Sequence, residues 1–281
     1  MNILAEYDRQ QRTIKQEVTL EGIGLHSGND VQMNFLPAAV DSGIVFKRVD
    51  LDQSPQVKAN VANVVSTDRS TTVGKSGFKV QTIEHLMAAL RAFDIDNILI
   101  EVNSEELPAL DGSAKLYSQL FKEAGIERQS KKKKVYKVKR GYYYKGQDTY
   151  IGIFPAEKYK INYLLKYDHP VIGTEYFEYE FEKESFINEI MPARTFGFAK
   201  EVAMLKERGL ALGGSLDNAV LIEDNNVVNE LRFKDEFVRH KVLDLVGDLY
   251  LNGPLIGEII AIRTGHTDNY KLNQMIQKKK K

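Results

Sequence analysis

His240, Asp244 and Asp248 fall at i, i+4 and i+8 within Glu236-Phe237-Val238-Arg239-His240-Lys241-Val242-Leu243-Asp244-Leu245-Val246-Gly247-Asp248-Leu249. On a helix that spacing stacks an imidazole and two short carboxylates along one face, with Lys241 at its border. Val238, Val242, Leu245, Val246 and Leu249 share the opposite face. Neutral imidazole nitrogen and carboxylate oxygen both ligate zinc, so a His and an Asp one turn apart can grip a single metal ion. Taken alone, the stripe is more simply a solvated helix face.

Three further places carry reactive groups. Glu84 and His85 are adjacent in Thr82-Ile83-Glu84-His85-Leu86-Met87-Ala88-Ala89-Leu90. Leu, Met and Ala favour helix, so a helix is expected over 82–93 with Thr82 as its N-cap. His266 follows Gly265, where a strand turns into the final helix. His26 lies in Gly22-Ile23-Gly24-Leu25-His26-Ser27-Gly28, whose three glycines in seven residues make a tight turn. A histidine in such a turn either lines a site or is merely exposed. The chain has no His-Glu-x-x-His, no P-loop and no dinucleotide-type glycine fingerprint.

Composition narrows the chemistry. There is no cysteine, which excludes disulfides, thiol nucleophiles and thiolate-bound metal. Any metal must sit on carboxylates and the five histidines, His26, His85, His169, His240 and His266. Lys plus Arg and Asp plus Glu both number 39, so no net charge draws the chain toward nucleic acid or anionic membrane. No apolar run approaches the length of a membrane span, and residues 1–15 lack the apolar core of a signal peptide. A cytoplasmic protein is expected. Its 281 residues suggest roughly two domains, and 43% hydrophobic residues suffice for packed cores.

The elements that must position these groups follow from periodicity. Residues 1–12 are expected to fray. Strands are expected at 13–20, at 31–36 paired with 43–48, and at 97–102. A small antiparallel sheet is expected over 57–73. The Ser and Thr residues in its Ser66-Thr67-Asp68-Arg69-Ser70-Thr71-Thr72 are accounted for by a hydrogen-bonded turn. Asp111 reads as the cap of a helix over 114–124. Lys131-Lys132-Lys133-Lys134 reads as a solvated linker, dividing the chain into domains at 1–130 and 131–281. Beyond it come strands at 135–144, 149–155, 160–167 and 175–181, and a helix at 200–208. A mobile apolar loop at 209–215, strands at 219–222 and 255–262, and a solvated tail at 278–281 complete the chain. Each half holds a helix with a histidine near its start followed by an apolar strand. Two such α+β units facing each other would bring His85 and His240 to one interface.

In order along the chain stand the Gly22-to-Gly28 turn; Thr82-Ile83-Glu84-His85-Leu86; Ile95-Asp96-Asn97; Leu110-Asp111-Gly112-Ser113-Ala114; Ala193-Arg194-Thr195-Phe196-Gly197-Phe198; and Gly213-Gly214-Ser215. Phe237-Val238-Arg239-His240-Lys241 with Asp244 and Gly247-Asp248-Leu249, and then Gly265-His266, complete the set. This ordered set resembles the zinc-dependent UDP-3-O-acyl-N-acetylglucosamine deacetylases of lipid A synthesis. Two departures stand out: 229–232 is slightly short, and Asp268 occupies a usually apolar position.

The resemblance implies an α+β fold of two similar domains, each a helix layer on a sheet, with helices packed inward and the active site at the domain interface. It implies Zn2+ on His85, His240 and Asp244, Glu84 as general base, His266 as general acid and Thr195 as a hydroxyl for the oxyanion. Lys241 and Asp248 would be supporting charges. The reaction implied is hydrolysis of the N-acetyl group of UDP-3-O-(3-hydroxyacyl)-N-acetylglucosamine, releasing acetate, the committed step of lipid A biosynthesis. The resemblance carries no nucleic-acid partner, at most peripheral contact with the inner membrane, and a monomer. Phe196, Phe198, Leu205, Leu210 and Leu212 are apolar enough to line an acyl passage.

Two other classes stay open from the residues themselves. One is a non-catalytic carbohydrate or lipid binder stapled by zinc, though structural zinc usually has four protein ligands. The other is a metal-free glycosidase using Glu84 and an Asp as its carboxylate pair. Metal content and acetate release separate the three.

Overall fold

Val31, Met33 and Phe35 are buried while Gln32 and Asn34 face out, the alternation of a strand packed on one face. The computed structural model describes residues 9–75 and 77–280. Its first half runs β1 (Gln10–Ile14), β2 (Val18–Ile23), β3 (Asp30–Pro37), β4 (Ile44–Arg48), β5 (Gln56–Lys58), β6 (Val64–Ser66), β7 (Thr72–Lys75) and β8 (Phe78–Val80). It continues through helix α1 (Glu84–Ala92), β9 (Ile98–Val102), helix α2 (Lys115–Ala124) and β10 (Ile126–Lys132). Five strands form one sheet in the order β2-β3-β9-β4-β5. α2 covers its inner face, with Phe35 meeting Tyr117 and Phe121 edge-on. The expected β3–β4 pairing is not made. β9 inserts between them, antiparallel to β3 and parallel to β4, because α1 supplies the crossover that a parallel pair requires. A small antiparallel sheet is present, but as β6-β7-β8 over 64–80 rather than 57–73; Gln56–Lys58, at the start of the expected range, pairs with β4 instead.

Several local expectations are corrected. Residues 10–12 are not frayed: β1 pairs with β10, and the chain breaks between β1 and β2 rather than running as one strand. Residues 1–8 lie outside the described residues. Thr82 does not cap α1; its φ is 62° and its buried hydroxyl has no partner. Asp111 does not cap α2 but accepts from Ser113 and pairs with Arg232 at 2.9 Å. The lysine run is not a solvated linker. Lys131 and Lys132 end β10, and the Lys133 side chain is only 4% exposed, 2.6 Å from Asp96 and 3.7 Å from Asp94. Burial lowers its pKa to about 8 against the pull of Asp96.

The second half begins with β11 (Tyr136–Lys137), β12 (Tyr142–Lys145), β13 (Tyr150–Phe154), β14 (Tyr159–Lys166), β15 (Thr174–Glu180) and β16 (Phe196–Phe198). Helix α3 (Ala199–Glu207), β17 (Val220–Ile222), helix α4 (Glu236–Tyr250), β18 (Leu255–Ile262) and helix α5 (His266–Lys280) follow. Of the expected tail at 278–281, residues to Lys280 belong to α5, and 281 lies outside the described residues. The sheet order is β12-β13-β18-β14-β15, with β11 also on β18. α4 packs on β14 and β15, and α5 on β12 and β13. The loop at 209–215 is tied down: Leu212 and Gly213 donate their N–H groups to the carbonyls of His26 and Leu25.

The two halves meet where α1 packs on α4. Both helices are buried along most of their length, so neither has the polar face of a surface helix. Their backbones approach closely at Gly247. A Cβ there would lie 2.0 Å from the Glu84 carbonyl oxygen and 2.8 Å from its carbon. Backbone atoms cannot rotate away, so Gly247→Ala should push the helices apart and lower stability by about 1–3 kcal/mol, the usual cost of overpacking. Denaturant unfolding measures this; a variant as stable as the parent would contradict the contact.

Candidate metal and catalytic site

His85 lies in the first turn of α1, while His240 and Asp244 occupy successive turns of α4. The stripe on α4 is not a solvated face: His240, Asp244 and Asp248 are all under 5% exposed. The Nε2 atoms of His85 and His240 each lie 3.5 Å from the same oxygen, Asp244 Oδ1. The two rings stand perpendicular with centroids 5.0 Å apart. His240 Nδ1 is 3.1 Å from the Ala193 carbonyl, so a proton on Nδ1 donates there and leaves the Nε2 lone pair facing inward. Burial lowers the His240 pKa to about 3, keeping the ring neutral as a ligand must be. Burial opposes the Asp244 charge, but the Lys241 ammonium and hydrogen bonding from the His85 ring outweigh it and hold the carboxyl well below its ordinary range. Lys241 Nζ takes Oδ2 at 2.7 Å. Oδ1 has no hydrogen-bond partner. A buried, ionised, orphaned oxygen between two imidazole nitrogens fits a divalent cation.

A second group, Glu84, Asp244 and His266, also brings ligand atoms within 4.8 Å of one another. Two of these are otherwise engaged. Glu84 Oε2 accepts from the Thr71 N–H at 3.0 Å. His266 Nδ1 lies 2.9 Å from Asp248 Oδ2. Burial raises the pKa of Glu84. Burial would depress His266, but the carboxylates of Asp248 and Glu84 outweigh it and lift its pKa to about 9. A carboxyl whose pKa is raised by burial and an imidazole whose pKa is raised by its carboxylate neighbours thus face one centre. Asp268 supports the start of α5 by accepting from Gly265 N at 3.1 Å, so the departure from an apolar residue there helps the helix begin.

These groups line a cavity of about 410 Å³ that also takes in Thr195, Lys241 and His26. Thr195 is fixed by its own backbone, donating to Gly112 O and accepting from Val220 N, each at 2.8 Å. Of the expected apolar passage, Phe196, Phe198 and Leu205 line the cavity; Leu210 does not, and Leu212 is 54% exposed. His169 stays outside the cavity, against the Phe198 ring. Local reasoning passed over Glu106, which is 1% exposed and accepts the N–H groups of His26 and Ser27, each at 2.8 Å, holding the glycine turn. Thr71, which the sequence assigns to a local turn, instead reaches Glu84 and Asp248. Both act through partners remote in sequence, which no local pattern reveals.

The N-terminal end of α4 is secured by an ion pair. Glu236 precedes His240 by one turn and is fully buried; Arg194 Nε meets it at 2.8 Å, and the backbone N–H of Arg194 at 2.9 Å. Residues 193–195 therefore hold His240, Glu236 and the Thr195 loop together.

A family model described as UDP-3-O-acyl N-acetylglycosamine deacetylase matches residues 11–278. A Geobacter protein named UDP-3-O-acyl-N-acetylglucosamine deacetylase is 45% identical over 265 residues, covering 93% of this chain and 87% of its own length. A protein of the same name from Thermodesulfovibrio yellowstonii is 44% identical, covering 92% and 89%. Another from Chlamydia caviae is 42% identical, covering 96% and 97%.

The ion pair at the head of α4 yields a prediction. Glu236→Ala leaves Arg194 buried without its counter-charge and should cost about 3–5 kcal/mol in denaturant unfolding. Replacing both partners, Arg194→Met with Glu236→Leu, should cost markedly less. Equal losses in the two proteins would show that packing, not charge, holds the helix end.

Proposed function

We infer the roles of the site residues from one premise: the chain belongs to the UDP-3-O-acyl N-acetylglycosamine deacetylase family. It is an amidohydrolase of lipid A biosynthesis, and it removes the N-acetyl group of UDP-3-O-acyl-N-acetylglucosamine.

We propose that His85, His240 and Asp244 hold Zn2+. The observation that carries this is the orphaned Asp244 Oδ1 between two imidazole Nε2 atoms. When bound, the metal supplies Lewis acidity, polarising the amide carbonyl and lowering the pKa of water to about 7. The protein's own groups do the rest. Glu84 accepts a proton from the attacking water, its burial bringing its basicity toward the working range. The Thr195 hydroxyl donates to the oxyanion as the carbonyl carbon becomes tetrahedral. Lys241 keeps Asp244 ionised and lends positive charge to the cavity. His266, held charged by Asp248, gives its proton to the departing amine as the C–N bond breaks. Acetate and the free amine of the sugar nucleotide result.

The apolar wall of Phe196, Phe198 and Leu205 is proposed to receive the acyl chain. The two halves, 1–130 and 131–281, are proposed to be domains with the site between them. We propose a cytoplasmic monomer with no nucleic-acid partner and at most peripheral contact with the inner membrane. No described helix is long and apolar enough to cross a membrane.

Two experiments bear on these roles. His85→Ala, His240→Ala and Asp244→Ala should each lose most zinc and most activity, whereas His26→Ala and His169→Ala should keep the metal. Full zinc occupancy in His240→Ala would sink the ligand set. The second is a pH profile. A proton donor with a raised pKa is competent below that value and lost above it, so kcat/KM should fall as pH rises through about 9. His266→Ala should retain zinc, lose about 10²–10⁴-fold in rate and lose that alkaline limb. A zinc-loaded variant with wild-type rate and an unchanged limb would remove His266 from the mechanism.

A further inference from the structure

Thr71 is the penultimate residue of the polar segment 66–72 that a simple turn would explain, and it is 2% exposed. A turn residue needs only local partners; those of Thr71 are distant. Its N–H donates to Glu84 Oε2 at 3.0 Å. Its carbonyl accepts from Ile83 N at 3.3 Å, at the head of α1. Its hydroxyl donates to Asp248 Oδ1 at 2.5 Å, across 177 positions of sequence, and lies 3.5 Å from His266 Nδ1. Asp248 Oδ2 is taken by His266 Nδ1 at 2.9 Å and by Asn269 Nδ2 at 2.8 Å. Thr71 therefore supplies the hydrogen bond that fixes the other edge of this carboxylate. A β-branched side chain is stiff at χ1, so the hydroxyl direction follows the backbone that holds Glu84.

We propose that Thr71 is a positioning residue for deacetylation, one residue that sets the placement of Glu84 relative to the Asp248–His266 pair by binding each through a separate polar group. This rests on the base and acid roles given above. Without the hydroxyl, Asp248 Oδ1 is left unpaired in a buried site, the carboxylate turns, and the imidazole it orients turns with it.

The test compares Thr71→Val, Thr71→Ser and Thr67→Val, with zinc content and thermal stability measured in each. Thr71→Val should lower kcat about 10- to 100-fold with KM little changed, as for other groups that orient a reacting side chain. Thr71→Ser should restore kcat. Thr67→Val removes a hydroxyl of the same segment, one bonded at 2.9 Å to Thr267 in α5, and should leave kcat unaltered. In a His266→Ala background Thr71→Val should cost less than in the parent, since the group it orients is gone. NMR of the His266 ring nitrogens, free of substrate, should shift in Thr71→Val and not in Thr67→Val. An unchanged kcat in Thr71→Val, an equal loss in Thr71→Ser, or the full loss retained in the His266→Ala background would each overturn the proposal. Should Thr71→Val not fold, a folded Thr71→Ser with wild-type kcat and His266 spectrum supports it, and one with reduced kcat overturns it. A wild-type rate in His266→Ala alone would instead overturn the acid assignment.

Discussion

At Gly247 the backbones of α1 and α4 meet with no side chain between them, and the rest of the site depends on that contact. It puts the first turn of α1, with Glu84 and His85, beside the turns of α4 that carry Asp244 and Asp248. Helical periodicity then does the remaining placement. Glu236, His240, Asp244 and Asp248 recur every four residues, so one stripe carries in succession an anchoring ion pair, two candidate ligands and the carboxylate paired with His266. Small residues on α1, Ala88 and Ala89, are fully buried and let the helices lie close.

Bringing this many charges out of water is costly unless each is matched. Arg194 answers Glu236, Lys241 answers one oxygen of Asp244, and His266 with Asn269 and Thr71 answers Asp248. Among these carboxylates the unanswered atom is Asp244 Oδ1, and it lies 3.5 Å from the Nε2 atoms of both His85 and His240. A site balanced in every atom but one has the electrostatic shape of a cation-binding centre.

Much of this was legible in the residues. The 3.6-residue period located α4 and its chemical stripe, and period-two alternation located β3, β14 and β15 within a residue or two. Their own side chains specify those elements. What stayed hidden was fixed by partners far along the chain. Lys133 looks solvated until Asp94 and Asp96 are folded against it. Thr71 and Glu106 look like turn and surface residues until their long-range hydrogen bonds form. Thr82 has a cap's identity but sits at φ 62°, which tertiary packing imposes and propensity does not foresee. Apolar composition across 196–215 cannot say that Leu205 faces the cavity while Leu212 faces out.

The ladder between β1 and β10 bears on how the chain is made. It joins Gln10 to Lys132, so β1 waits for the last strand of its half before its edge is covered. Until then β1 presents unpaired N–H and C=O groups, and Ile14 has no core to enter. Closure of such a long loop is slow relative to local helix formation, and nascent chains lengthen by only about 5–20 residues per second. Until β10 has been synthesised, the edge of β1 is therefore open to a chaperone or a stray strand.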